Sequence, residues 1–225
     1  MVAGKKTALF WNEAIYPDSD GKPMADNTIQ FEMIVKLHTG LTYLFREQKD
    51  VLVVSDLLWY PEEGKPTICT APDVMVILGR PAGDRRSYRQ WEEGGIAPQV
   101  VIEVLSASNQ TLEMLRKIKF YETYGVSAFY IIDPYTPEIN AWMRDGAILA
   151  PLDIAKTCDI PLLGIRLQVE PSGIEVYDQA GNQFLSPAEI KVREVEQRRI
   201  AEQERLAKEA ALIEIERLRA LLRNT

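Results

Sequence analysis

The feature that most constrains the fold is a strand–helix–strand succession within residues 99–133. Two apolar runs, residues 99–105 and 128–133, have the length and composition of buried strands. Between them the pattern predicts a helix from about Thr111 to Tyr124, with Gly125 as its C-terminal cap. A helical crossover of roughly 20 residues joins strands that run parallel. The sequence therefore predicts an α/β fold with a parallel pair of strands.

Helical and strand patterns continue on both sides of this unit. A first helix is predicted from Asn27 to about Glu47, with an apolar face formed by Ile29, Met33, Leu37, Leu41 and Leu44. Strands are predicted within residues 51–61 and 72–78, and short hairpin strands within residues 138–178. Three segments follow from this pattern: an irregular arm at 1–26, a folded domain at 27–186 and a charged helix at 187–225.

Composition limits the kinds of site that the chain can build. The two cysteines and one histidine exclude zinc sites made of Cys and His, and they argue against a disulfide framework. The formal net charge is −7, and residues 1–188 alone contain 17 Lys/Arg against 25 Asp/Glu. A body this acidic argues against extended binding of phosphates, which rests on basic side chains.

The hydropathy of the sequence indicates where in the cell the protein is expected. No apolar run reaches the roughly 18 residues that a membrane span needs, and the N-terminal stretch MVAGKKTALFWNEAIYP lacks the features of a signal peptide. We therefore expect a cytoplasmic protein without a membrane partner.

One carboxylate lies inside a predicted strand. Side chains alternate along a strand, so Glu103 shares a face with Val101 and Leu105. An ionised carboxylate among apolar neighbours is costly unless it is paired or bound to a cation. Asp73, at the start of the preceding apolar run, is the candidate partner. A hard divalent cation, Mg²⁺ or Mn²⁺, would remove the repulsion between the two carboxylates.

Three motifs in this order, APDVMVI, APQVVIEVLSAS and KIKFYETYGVSAFYIIDP, resemble the Uma-two (Uma2) family of restriction-endonuclease-like proteins, within the PD-(D/E)xK nuclease superfamily. The resemblance covers about residues 27–185, and the charged tail is similar to tails seen in that family. It implies a restriction-endonuclease-like core, with a mixed central sheet flanked by helices, to which this chain adds a long C-terminal helix. The patterns described above predict the same order of elements independently.

The resemblance also implies a role for individual residues. Asp73 would be the aspartate of the PD element and Glu103 the second acid, and both would bind the metal. Members of the superfamily usually have a lysine two residues after the second acid, where this chain has Leu105. The resemblance implies that the catalytic lysine has moved to the next helix, at Lys117. Glu113, one turn earlier, shares a helix face with Lys117 and is a possible accessory acid.

A structural interpretation stays open for each of these three residues. Asp73 can be a turn residue that caps a strand. Glu103 can form a buried ion pair with Arg85 or Arg86. Lys117 can face water, as most helical lysines do.

Other charged residues are candidates for supporting roles. Glu32 and Asp56 are considered as accessory acids, although a solvent-facing charge is the favoured interpretation of Glu32 and a turn cap is the alternative for Asp56. His38 is expected on the surface of the first helix. Four arginines of the long connection before the third strand are predicted to contact phosphates: Arg80, Arg85, Arg86 and Arg89.

The end of the tail carries an apolar stripe. Ala211, Ile215, Leu218 and Leu222 repeat at the spacing of a coiled-coil seam, which predicts a homodimer. Extended backwards the seam meets charged residues, so the alternative is a solvated helix that lies against its own body.

Two functions follow from these patterns. The first is a metal-dependent endonuclease that hydrolyses DNA phosphodiester bonds with Mg²⁺ or Mn²⁺. The second is a catalytically weak or inactive protein of the same fold that binds or assembles through its tail. The leucine at position 105, the acidic body and the tail favour the second function, whereas the ordered motifs favour the first.

Overall fold

The structure is a computed structural model that describes residues 16–21, 23–107 and 111–223. Within these ranges the chain forms three helices, α1 (Thr28–Leu44), α2 (Thr111–Thr123) and α3 (Pro187–Arg223). The same ranges contain eleven strands: β1 (Val51–Val54), β2 (Trp59–Tyr60), β3 (Val74–Leu78), β4 (Tyr88–Arg89), β5 (Val100–Val104), β6 (Ala128–Asp133), β7 (Glu138–Asp145), β8 (Ile148–Leu152), β9 (Thr157–Ile160), β10 (Ile165–Glu170) and β11 (Gly173–Asp178).

A mixed six-stranded sheet forms the centre of the fold, in the order β1-β3-β5-β6-β7-β8. Only β5 and β6 run parallel, and the neighbouring pairs are antiparallel. The predicted α/β class, the mixed sheet and the long C-terminal helix are therefore confirmed. Two smaller sheets accompany it, an antiparallel one of β11, β10 and β9 and a parallel pair of β2 and β4.

The two faces of the central sheet build two separate apolar cores. One core joins alternate residues of β3 and β5 to the buried side of α1, through residues such as Val74, Ile102 and Leu37, and it includes the three-stranded sheet. The other core joins the intervening residues, such as Met75 and Val101, to α2 and to Trp59 of β2, among others. Because side chains alternate between the two faces of the sheet, the even-numbered residues of β3 and β5 face α1 and the odd-numbered ones face α2.

The end of α1 and its buried face both differ from the prediction. The helix ends at Leu44 rather than near Glu47, and the Asn27 side chain caps its start by accepting a hydrogen bond from the Gln30 N–H at 3.1 Å. The buried side of the helix contains Gln30, Ile34, Leu37 and Leu41, whereas Ile29 is 49% exposed. The predicted face was therefore wrong at its first turn.

The strand predicted within residues 51–61 is interrupted. β1 ends at Val54, and Asp56 adopts a left-handed conformation with φ at 51° while its N–H donates to the Pro72 carbonyl at 3.0 Å. A left-handed residue cannot continue an extended strand, so the chain turns and pairs β2 with β4 instead.

The described chain divides into two compact units between Phe184 and Leu185. α3, in the second unit, begins with a capping box, in which the Ser186 hydroxyl accepts from the Glu189 N–H at 3.2 Å and the Glu189 carboxylate accepts from the Ser186 N–H at 2.7 Å. Of the predicted arm at residues 1–26, residues 16–21 and 23–26 contain neither helix nor strand, and the others lie outside the described residues. None of the described helices combines the length and apolarity needed to cross a membrane.

Gly40 allows the close approach of α1 to Phe184. A Cβ built on Gly40 would overlap the aromatic ring of Phe184, which is 7% exposed. The contact is one of those that hold α1, whose first turn approaches the candidate site described below.

We expect the Gly40→Ala substitution to lower the free energy of unfolding by about 1–3 kcal/mol, because the added methyl group overpacks the core. In an exposed helix interior the same change would stabilise the helix by about 1 kcal/mol. Urea denaturation of the single variant, and of the same change in a Phe184→Leu background, measures the effect. An equal loss in both backgrounds would show that the Phe184 ring is not the cause.

Candidate active site

Two acids face each other at the end of the β3–β5 pair. Val74 pairs with Ile102 and Met75 with Val101, so continuing the register by one residue sets Asp73 opposite Glu103. Both side chains belong to the sheet face covered by α2, and the Glu103 carboxylate lies close enough to raise the pKa of Asp73. The Asp73 carboxylate also accepts the N–H of Val104 at 2.7 Å. The backbone of β5 therefore fixes the orientation of Asp73.

Glu103 is buried, with 2% of its side chain exposed, and α2 supplies both of its side-chain donors. The Lys117 ammonium lies 2.8 Å from one carboxylate oxygen. The Tyr121 hydroxyl donates to the other oxygen. Residues four apart lie on one helix face, so the spacing of Lys117 and Tyr121 brings both groups to the same carboxylate.

The electrostatics of this cluster are dominated by burial and by its charges. Burial first, and the Glu103 carboxylate second, raise the pKa of Asp73 to about 8, against the opposing effect of Lys117. Burial opposes the charge of Lys117, but the carboxylates of Glu103 and Asp73 outweigh it and raise the pKa of the amine. Burial and the Glu103 carboxylate raise the pKa of Tyr121 well above its ordinary value. Lys117 is therefore a cation and Tyr121 a neutral donor at neutral pH.

A cavity of about 580 Å³ opens beside the cluster, within the range of roughly 300–1,000 Å³ typical of ligand pockets. Asp73 and Lys117 line it, together with the two accessory candidates Asp56 and Glu113 and with Arg116. Burial and the carboxylate of Asp20 raise the pKa of Asp56, while Lys117 lowers it. Acidic residues therefore outnumber basic ones around the cavity.

The oxygen atoms at this site fit a small hard cation. In the described part of the chain, no three Asp, Glu, His or Cys side chains gather as a metal cluster. Mg²⁺, however, is commonly held by one or two carboxylates, with water and substrate oxygens completing its shell. Asp73 and Glu103 supply two such carboxylates, and the raised pKa of Asp73 reflects the repulsion and burial that a cation would offset. The residues present therefore fit Mg²⁺ or Mn²⁺.

Several residues named from the sequence lie elsewhere. Glu32 is exposed on α1 and does not line the cavity, which agrees with its solvent-facing interpretation. His38 is half-buried, and its Nδ1 lies 3.0 Å from the Ser55 hydroxyl. Neither residue contacts the acidic pair through any hydrogen bond among the described residues.

The four arginines predicted to contact phosphates do not line the cavity either. Three of them are paired with carboxylates: Arg85 with Glu93 at 2.6 Å, Arg86 with Asp18 at 2.7 Å and Arg89 with Glu92 at 3.2 Å. Arg80 donates to the Gly79 carbonyl at 2.6 Å. The alternative in which Arg85 or Arg86 pairs with Glu103 is wrong, since the ion-pair partner is Lys117.

Sequence reasoning missed two residues, Gln30 and Tyr121, that hold the site. The Gln30 amide donates to the Val104 carbonyl at 2.9 Å and accepts from the Asp26 N–H at 2.9 Å. It therefore ties the first turn of α1 to the strand residue whose N–H binds Asp73. In the sequence, Gln30 could have been recognised as a polar residue on the same helix face as Ile34, Leu37 and Leu41, since the four residues follow at spacings of four, three and four.

The raised pKa of Asp73 predicts how the stability of the metal-free protein depends on pH. Its folded-state pKa of about 8 exceeds the ordinary value of 3.8, so the folded protein binds more protons than the unfolded chain between these values. Stability should therefore fall as pH rises through this window. We expect Asp73→Asn to be more stable than the natural protein at pH 8 by roughly 1–3 kcal/mol, and to differ less at pH 5.

Urea denaturation in the presence of EDTA measures the free energy of unfolding of the natural protein and of Asp73→Asn at pH 5 and at pH 8. Glu32→Gln, which removes an exposed carboxylate, is the matched control and should leave the pH dependence unchanged. Equal stability of the natural protein and Asp73→Asn at pH 8 would contradict the prediction.

Comparison with known proteins identifies the family of the chain. A family described as "Putative restriction endonuclease", the Uma2 family, matches residues 10–170. Similar solved structures include the crystal structure of "a putative nuclease belonging to DUF820 from Anabaena variabilis ATCC 29413", at 16% identity and a TM-score of 0.48, covering 63% of this chain and 76% of that one. None of the curated proteins matches. Because the family match spans more than half of the sequence, the chain belongs to the Uma2 family.

Proposed function

We propose that the protein is a metal-dependent endonuclease that hydrolyses phosphodiester bonds of DNA. The description of its family supports a nuclease. The observation that carries the proposal is the buried pair of Asp73 and Glu103 beside an open cavity, with the Lys117 ammonium 2.8 Å from Glu103. A purely structural ion pair would need only one of the two acids.

Asp73 and Glu103 are the residues that would hold Mg²⁺ or Mn²⁺. When bound, such an ion lowers the pKa of a coordinated water and offsets the charge that develops on a phosphate under attack. The chain itself orients both carboxylates, Asp73 through the Val104 N–H and Glu103 through Lys117 and Tyr121. Preorganised groups of this kind need no rearrangement during the reaction.

Lys117 acts as a fixed cation. Its raised pKa keeps the amine protonated at neutral pH, so the side chain is unsuited to take a proton from water. An ammonium has three N–H donors, and Glu103 uses one of them. The remaining donors can orient a water or a phosphate oxygen at the cavity. Lys117 thus takes the place of the lysine that the superfamily has at the position of Leu105.

The charges around the cavity support the proposal that a metal ion helps to bring DNA to the site. Asp56, Asp73 and Glu113 line the cavity against Arg116 and Lys117. Without a cation, a phosphodiester would meet an excess of carboxylates of its own sign. A divalent ion held by Asp73 and Glu103 would neutralise the charges of these two carboxylates.

A second candidate function is a binding or assembly protein that keeps the fold without useful cleavage. The observation in its favour is α3, on which large apolar side chains such as Val192, Leu206 and Ile213 are more than half exposed. The homodimer predicted from the tail belongs to both functions, because assembly and cleavage do not exclude each other.

We expect purified protein to nick supercoiled plasmid DNA in Mg²⁺ or Mn²⁺ and not in EDTA. Asp73→Asn should lower the nicking rate by on the order of 100-fold or more, because it removes a metal-binding charge. This variant is expected to fold at least as stably as the natural protein, so a lost activity would not reflect unfolding. Glu32→Gln is the control and should nick normally. Equal nicking by Asp73→Asn, or no nicking at all, would contradict the proposal.

The role of Lys117 as a fixed cation predicts a specific order among its variants. Lys117→Arg keeps the charge and should retain at least about tenfold more activity than Lys117→Met, which removes it. Nicking rates between pH 6 and pH 9 measure this order. If Lys117 were instead a general base, Lys117→Arg and Lys117→Met would be equally inactive, since arginine does not deprotonate in this range.

A further inference from the structure

Helix α2 brings a charged group and an aromatic ring to the cavity beside the acidic pair. Lys117 and Phe120 both line this cavity. They are three residues apart, so they lie at neighbouring positions on one side of the helix. Three residues advance the helix by about 4.5 Å. The ammonium and the ring therefore belong to the same wall of the cavity, less than one helical turn apart.

The ring of Phe120 is held in place by other aromatic side chains. Its centroid lies 4.6 Å from that of Tyr124, 5.4 Å from that of Trp59 and 6.0 Å from that of Tyr121. Trp59 and Tyr121 are fully buried, whereas Phe120 is partly exposed. A ring that is fixed on one side and exposed to a cavity offers a ligand a rigid aromatic surface.

The lining around Phe120 is largely apolar. Several other side chains of this kind line the cavity: Met24, Leu58, Cys69 and Ala71. The cavity thus combines an apolar lining with the charged groups of Asp73 and Lys117. A nucleotide has the same two parts, since it joins a charged phosphate to a base with flat faces that stack on aromatic rings. The lining therefore fits a nucleotide better than a phosphate alone.

The acidic pair lies below the protein surface. Only 2% of the Glu103 side chain and 20% of the Lys117 side chain are exposed. A phosphate that reaches them must enter the cavity, whose volume of about 580 Å³ is typical of a pocket for a small ligand. An intact duplex is stiff and keeps its bases stacked inside. An unpaired nucleotide can turn into such a pocket without the cost of opening a base pair.

The charges around the cavity also disfavour a duplex. Its described lining contains five acidic residues, Asp20, Asp26, Asp56, Asp73 and Glu113, against Arg116 and Lys117. Duplex DNA carries one negative charge per about 1.7 Å of its axis, and a single strand carries about half as many over the same length. Stacking on an aromatic ring adds affinity without basic groups. The cavity therefore suits a single strand better than a duplex.

We propose that the site acts on unpaired DNA, and that Phe120 stacks on a base next to the phosphate that Lys117 contacts. The inference rests on the proposed function, because it names the form of DNA that the Asp73 and Glu103 site accepts. A phosphate and its base are separated by one sugar, which suits two protein groups less than one helical turn apart. Duplex DNA enters the site only where its strands have opened.

Cleavage of one labelled oligonucleotide, either single-stranded or annealed to its complement, tests the proposal in Mn²⁺. The single strand should be cut on the order of tenfold faster than the duplex or more. Phe120→Leu keeps an apolar side chain without a ring, and should lower kcat/KM for the single strand on the order of tenfold. Phe120→Tyr keeps the ring and should retain most of the activity. Phe31→Leu makes the same change at an exposed position outside the cavity and should cut normally.

The topology of a plasmid should also control its nicking. Negative supercoiling helps to open a duplex. Supercoiled plasmid should therefore be nicked on the order of tenfold faster than a relaxed, covalently closed circle of the same sequence. Equal rates on the two circles would contradict the proposal.

A binding measurement separates this inference from the proposed function. Stopped-flow fluorescence anisotropy in Mg²⁺ records the binding of a labelled single strand before it is cut. Replacing the bases of the strand with stable abasic residues should weaken binding to the natural protein on the order of tenfold. The same replacement should weaken binding to Phe120→Leu by clearly less, because that variant has no ring on which a base can stack.

The two proposals fail in different ways. Equal cutting of duplex and single strand, equal activity of Phe120→Leu and Phe120→Tyr, or an equal effect of the abasic strand on the natural protein and Phe120→Leu would each overturn the inference. None of these results would contradict the endonuclease. If no substrate were cut while binding still depended on the bases and on the Phe120 ring, the endonuclease would be contradicted and the preference for unpaired DNA supported.

Discussion

The repulsion between two buried carboxylates is the constraint on which the site and much of its surroundings depend. Asp73 and Glu103 face each other across the β3–β5 pair because the antiparallel register aligns them. Burial makes their charges costly, so each carboxylate needs compensation. β5 supplies the Val104 N–H to Asp73, and α2 supplies Lys117 and Tyr121 to Glu103. The position of α2 on the sheet is therefore tied to the electrostatics of the site.

The strand–helix–strand unit was predictable because its signals are local. Apolar runs fix the strands, Gly125 ends the helix, and the parity of residues along a strand sets each side chain on one face of the sheet. Asp73 could be proposed as the partner of Glu103 because Asp73 stands at the start of one apolar run and Glu103 lies inside the next. The interruption of the strand at Asp56 agrees with the turn that was kept as the alternative for this residue, since aspartate adopts a left-handed conformation more readily than most side chains.

The contribution of α1 was harder to predict because its apolar residues surround the helix. Ile29 and Phe31 are exposed at the first turn, and including Ile29 rotated the predicted buried face. That rotation brought Glu32 to the edge of the face and hid Gln30. The role of the arginines was also hard to predict, because it depends on which carboxylates they pair with in the folded chain. A sequence shows the charge of Arg85 but not its partner Glu93, whose carboxylate lies 2.6 Å away in the folded chain.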